Sequence, residues 1–343
     1  MRKIDANHIS HNKSRNKYQN KRQTYKWKKR KKNNLLFRKE ARILAKTQFT
    51  KEFVNLPAPK DYSFIRNTNE VLKYFDDAKQ VFKKGGNVRF DISEIEKLTP
   101  DAIALHVSSI NHGKTVQGCY ISGNYPIDPE LNKLFTQSGF QRFVHTTGKK
   151  VKTHGNFLHR ERHYKVEPLI ARNAAIAGIK HTFGTINPFE PLYDILIECM
   201  SNTNNHATLS STDKTYWWLY VYNDPNSTIT SYSFLDLGVG IFESIELQTY
   251  FQNFVKNYFK GVLHKHINLV EDLLAGKIQS RVDEDNEIRG KGIPQIVEHS
   301  KLNVFKEFYI ISNDVKINVK TGEKEELQYD FHGTFLYWEI QNN

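Results

Sequence analysis

At 343 residues the chain is long enough for about two domains of roughly 100–200 residues each. No apolar run approaches the roughly 20 residues needed to cross a bilayer, the N-terminus lacks a signal-peptide core, and two cysteines, Cys119 and Cys199, cannot build a disulfide framework or a Cys-based zinc site. A soluble, cytoplasmic protein with no membrane span is therefore expected. Its net charge of +13 is uneven: residues 1–46 hold 17 Lys and Arg against two acids, a balance of +15, which leaves the remainder at −2.

Residues 1–50 read as a basic, flexible arm. Its centre, Tyr25 to Lys32, sets Tyr25 and Trp27 among six cations, and such a segment cannot bury enough apolar area to fold alone. The charge favours phosphates, with the two rings available to stack on bases, so nucleic acid is a candidate partner through residues 1–46. A solvated tail or a contact with anionic lipid fits the same charge. Apolar spacing over Leu35 to Leu44 predicts a short helix.

Residues 51–148 read as a small α/β domain. Helical spacing from Asn69 to Phe82 ends at Gly85-Gly86, and a strand follows at Asn87 to Ile92. Pro100 opens an amphipathic helix over Asp101–Ile110, Val116–Ser122 is a second strand, and Pro129–Ser138 is a third helix closed by Gly139. Strands alternating with helices predict a mostly parallel sheet. The segments Val88-Arg-Phe-Asp-Ile-Ser-Glu-Ile95 and Leu134-Phe-Thr-Gln-Ser-Gly139-Phe give this unit a resemblance to the STAS domain of bacterial anti-sigma-factor antagonists. That resemblance implies a protein partner. In those antagonists a phosphorylatable Ser opens the helix after the strand; here the position holds Asp101, which at most mimics a phosphoserine. A plain α/β spacer is the alternative.

Residues 149–174 read as a polar linker. The histidines at 145, 154, 159 and 163 are nine, five and four residues apart, which matches no tight ligand set.

Four further segments carry chemistry. Over Pro191–Thr208 the apolar face is Leu192, Ile195, Leu196 and Cys199, while Asp194, Glu198, Asn202 and His206 recur every four residues on another face. Such a stripe is either a solvated surface or a site. Strands at Thr215–Tyr222 and Thr228–Leu235 follow, the second running into Asp236-Leu-Gly238-Val-Gly240-Ile. Glycines there allow a flat ligand to approach the backbone, and an Asp at a strand end can accept a hydrogen bond from an exocyclic amine. Arg289-Gly290-Lys291-Gly292 then opens a helix over Ile293–His299, whose N-terminal N–H groups favour phosphate. Phe331-His-Gly333-Thr334 begins a terminal strand with Thr334 placed to face a base.

In order and type these motifs resemble the GHKL superfamily of histidine kinases, anti-sigma serine kinases, gyrase B subunits, heat-shock chaperone ATPases and mismatch-repair ATPases. The resemblance covers residues 175–343 and implies a Bergerat-type α/β sandwich, a mixed sheet with helices on one face, with a lid at 242–289. It implies ATP and magnesium as cofactors. Asn202 would hold the metal, Glu198 would be the general base, and Asp236 would read the adenine amine. Gly238, Gly240, Arg289, Gly290, Lys291, Gly292 and Thr334 would line the nucleotide.

No phosphoacceptor His followed by an acid precedes the site, which disfavours a histidine kinase, and no transducer segment follows it, which disfavours a gyrase-like enzyme. The expected function is a regulatory switch that hydrolyses ATP or phosphorylates Ser/Thr in a partner met through the STAS-like domain or the lid. A nucleic-acid-associated ATP-driven switch, or ATP binding without catalysis, is the alternative.

Overall fold

The computed structural model describes residues 52–112, 118–144, 152, 154–155, 157–163, 165–187, 189–206, 215–246, 265–278 and 292–342. The arm, the helix read at Leu35–Leu44, Arg289, Gly290, Lys291 and most of the lid lie outside the described residues. From Val54 onward the chain is one compact α/β unit. No helix among the described residues is long and apolar enough to cross a membrane.

The N-terminal part supplies β1 (Phe53–Pro57), β2 (Asp61–Tyr62), α1 (Thr68–Lys83), β3 (Asn87–Asp91), β4 (Lys97–Leu98), α2 (Pro100–Asn111), β5 (Ile121–Gly123) and α3 (Pro129–Gln137). Helix α1 buries Val71, Leu72, Tyr74, Ala78 and Phe82 and stops at Lys84 before Gly85, whose φ of 68° suits a left-handed close. The pairs β3–β5 and β2–β4 are parallel, as the alternation of strands and helices required. Of the strand expected over Val116–Ser122, residues 116–117 lie outside the described residues, and the described strand runs over Ile121–Gly123, with half-buried Cys119 before it.

Helix α2 departs from its amphipathic reading. Every residue from Asp101 to Ser109 is buried, because the helix lies between the small sheet and the strands of a larger one. Asp101 faces inward, where its Oδ2 accepts the Ile65 N–H at 2.8 Å. Burial raises its pKa. The position matched to a phosphoacceptor is thus an internal anchor and is not presented to a partner.

The larger sheet contains β6 (Phe157–His163), β7 (Trp217–Asn223), β8 (Thr230–Asp236), β9 (Phe305–Asn318) and β10 (Lys324–Ile340), in the order β6-β7-β8-β10-β9. Two corrections follow. The sheet is antiparallel throughout, not mixed, because the hairpins β7–β8 and β9–β10 lie side by side with β10 against β8. The segment read as a polar linker supplies the edge strand β6, and α4 (Pro168–Phe183) begins before that segment ends. Charged residues are common on edge strands, where they deter further pairing, and so the composition imitates a linker.

Strand alternation assigns the two sheet faces. Trp217, Leu219, Val221, Tyr232, Phe234, Ile310, Leu336 and Trp338 face α4, α5 (Glu190–His206) and α8 (Gly292–Ser300) in one core. Trp218, Tyr220, Leu235, Tyr309, Ile311, Phe335 and Tyr337 face α1 and α2 in the other. Helix α4 approaches closely through Ala171, Ala174, Ala175 and Gly178; a methyl group at Gly178 would stand 1.8 Å from the Tyr232 hydroxyl. Antiparallel sheets often leave one face to solvent, but this one is buried on both.

Candidate nucleotide site

The stripe on α5 is partly covered over Asp194, Glu198 and Asn202, and the His206 side chain lies outside the described residues. Asp194, Glu198 and Asn202 are each partly buried, and the start of α8 lies against them. A methyl group placed on Gly292 would stand 2.9 Å from Asn202 Oδ1 and 3.0 Å from Glu198 Oε2. The Glu198 carboxylate and the Asn202 amide, whose Nδ2 would stand at 3.1 Å, therefore crowd one spot beside the start of α8, which glycine leaves open. Burial, with Asp194 one turn away as a second cause, raises the Glu198 pKa. Behind this pair His299 Nε2 of α8 sits 3.4 Å from Asp194 Oδ2, an ion-pair distance without hydrogen-bond alignment.

Asp236 closes β8, directly across from Thr334 on β10 and Trp217 on β7. Side-chain parity turns Asp236 and Thr334 toward the helical layer. Asp236 Oδ1 accepts the Gly238 N–H at 2.9 Å, and Oδ2 accepts the Thr203 hydroxyl at 3.3 Å. Thr203 adjoins Asn202, so one turn of α5 carries both the oxygen pair and a bond to the buried acid. Gly333, at φ 128°, lies in an irregularity of the β9–β10 pairing between Phe331 and Thr334, where a methyl group would strike the Asp236 carbonyl at 2.1 Å. Thr203, Gly333, Ser312 and Asn313 are the site-building residues missed by motif reading. Of these only Gly333, beside Thr334 in a strand, carries a sequence signal, since an isolated strand glycine marks a bulge.

The structure therefore brings together Glu198, Asn202 and Gly292 at one end, and Asp236, Gly238 and Thr334 at the other. Gly240 belongs to the same loop but has another neighbour: its φ is 84°, and a methyl group there would lie 2.5 Å from Asn313 Oδ1.

Full burial pushes the Asp236 carboxyl up to about 6 despite hydrogen bonds from Gly238, Thr203 and Thr334. A carboxyl raised above its unfolded value near 4 stabilises the fold most below that value, and the contribution is lost as pH rises through about 6. Asp236→Asn is accordingly expected to flatten the decline in stability between about pH 4 and 6, measured by denaturant unfolding across that range. An unchanged slope in the variant would mean that another group sets it.

No group of three or more His, Cys, Asp or Glu among the described residues could hold a metal ion by itself. The Asn202 amide oxygen suits magnesium, which commonly takes one or two protein oxygens and completes its shell with water and phosphate. No family model and no curated protein matches this chain.

Proposed function

We propose that this chain is a magnesium- and ATP-binding protein of the GHKL type, with a Bergerat-type sandwich over residues 175–343, acting as a regulatory switch by hydrolysing ATP or phosphorylating a partner's Ser/Thr. The observation that carries this reading is the placement of two different recognition ends on one helical layer of one sheet. An acid with a threonine and glycines lies at the strand ends, and a carboxylate–amide pair faces a helix N-terminus.

In this reading Asp236 accepts the exocyclic amine of adenine, and Thr334 lies beside it across the strand pair. The Asn202 oxygen would hold magnesium, which when bound neutralises phosphate charge and fixes phosphate geometry. Glu198, its basicity increased by burial, takes a proton from the attacking water or hydroxyl. The N–H groups at the start of α8 would meet the phosphates. A second reading, a nucleic-acid-associated ATP switch, is favoured by the +15 balance of residues 1–46.

Incubation of the purified chain with magnesium and radiolabelled ATP, with and without nucleic acid, tests both. Label transferred to protein supports the kinase form, and phosphate release stimulated by nucleic acid supports the second reading. Absence of magnesium-dependent ATP binding would overturn both.

A further inference from the structure

The loop after β8 is held from β9, by side chains more than seventy positions later in the chain. Asn313 is 1% exposed and has a φ of 52°, a left-handed conformation that Asn tolerates better than most residues. Its Oδ1 accepts the N–H groups of Phe242 at 3.1 Å and Glu243 at 3.3 Å, and its Nδ2 donates to the Val239 carbonyl at 2.9 Å. The neighbouring Ser312 hydroxyl accepts the Ile241 N–H at 2.8 Å and donates to the Gly333 carbonyl at 2.7 Å.

Helix α6 (Ile241–Glu246) begins in this loop. Its first N–H groups need acceptors, normally supplied by the side chain just before the helix. Gly240 has no side chain, and its place is filled by the Asn313 amide, which a Cβ at Gly240 would displace. This explains the second glycine of Asp236-Leu-Gly-Val-Gly240: it admits Asn313. Ser312 joins the same loop to the bulged turn of β10 that carries Thr334. The fully buried β9 side chains around them, Ile310, Ile311, Val315 and Ile317, are apolar, so Ser312 and Asn313 are a buried polar pair placed where the strand meets the loop.

We propose that Asn313, assisted by Ser312, is a positioning residue for nucleotide binding: it fixes the course of residues 237–243 and thereby the relation of Asp236 and Gly238 to Thr334. This assignment rests on the nucleotide reading above.

The test uses the full chain carrying Asn313→Ala, Asn313→Asp or, as a control, Val315→Ala, a buried apolar β9 residue that makes no side-chain hydrogen bond to the loop. Melting temperature, magnesium-ATP affinity and hydrogen exchange at the Phe242 and Glu243 amides are measured for each. Asn313→Ala is expected to weaken ATP binding about tenfold and to speed exchange at both amides. Val315→Ala should lower the melting temperature without either change. Asn313→Asp, whose carboxylate still accepts both N–H groups but cannot donate to Val239, should restore part of the amide protection and of the affinity. Equal affinity in Asn313→Ala and Val315→Ala, or an Asp variant no better than Ala, would overturn the assignment. If the wild type binds ATP and Asn313→Ala binds equally well, only this inference falls. If the wild type binds no ATP, the nucleotide reading falls and takes the positioning role with it, while exchange still reports whether Asn313 holds the loop.

Discussion

Replacing Glu198 by Ala is expected to reduce ATP turnover by about 100- to 10,000-fold while leaving magnesium-ATP affinity within a few-fold of wild type. The carboxylate sits half-buried on α5, opposite Gly292. Burial and Asp194 both favour its protonated form, which makes the ionised form a stronger base. The sign of the pH dependence follows. Turnover should fall as pH drops through the raised Glu198 pKa, and Asp194→Asn should move that acid limb to lower pH by removing one cause of the shift. Glu198→Gln should resemble Ala in rate, because shape is kept and basicity is lost. Undiminished turnover in Glu198→Ala would remove the residue from its assigned role.

The second large effect concerns the fold. A chain lacking residues 54–144 is expected to lose cooperative unfolding and to aggregate. That deletion uncovers Trp218, Tyr220, Leu235, Tyr309, Ile311, Phe335 and Tyr337, each at most 8% exposed in the intact unit. At about 1.5–3 kcal/mol for each large apolar side chain, the loss rivals the roughly 5–15 kcal/mol by which whole domains are stable. The contact is specific as well as apolar. Phe64 packs edge-on to Phe335 with ring centroids 4.8 Å apart, Tyr220 donates to the Ser138 carbonyl at 3.3 Å, and Lys316 donates to the Ile65 carbonyl at 2.7 Å. Asp101 holds the N–H of that same Ile65, so one residue is clamped from the N-terminal part and from β9. A near-ultraviolet circular dichroism signal and a sharp melt close to that of the full chain would contradict this expectation.

The two parts of the chain thus share a core, which the composition of residues 149–174 concealed. A segment such as Phe-Leu-His-Arg-Glu-Arg-His is polar because β6 is an edge, and polarity by itself does not separate an edge strand from a linker. Helix α2 misled in the opposite direction. Its apolar spacing predicts one buried face, yet Asp101, His106, Ser108 and Ser109 are buried too, each with its place set by non-local packing. His106 receives a 2.8 Å contact from the Tyr62 hydroxyl on its Nδ1, and burial pushes its pKa down to about 4, so it belongs in the core as a neutral ring.

The candidate site was legible where a chemical need is written locally. Glu198 and Asn202 are one helical turn apart, and Asp236 ends a strand before glycines, so their types and spacing could be read directly. Thr203, Ser312 and Asn313 could not, since each is an ordinary polar residue whose partner lies 33 to 74 positions away.

By itself the sequence determined the longer helices and many of the strands, the charge of residues 1–46 and the spacing of Glu198, Asn202 and Asp236, because periodicity, turn chemistry and helical spacing act within a few residues. Tertiary structure alone decided that the larger sheet is antiparallel, that both its faces are covered, and that Gly240 yields its space to Asn313. Those outcomes depend on which distant surfaces meet, and burial is non-directional: an apolar face states that it must be covered without stating by what.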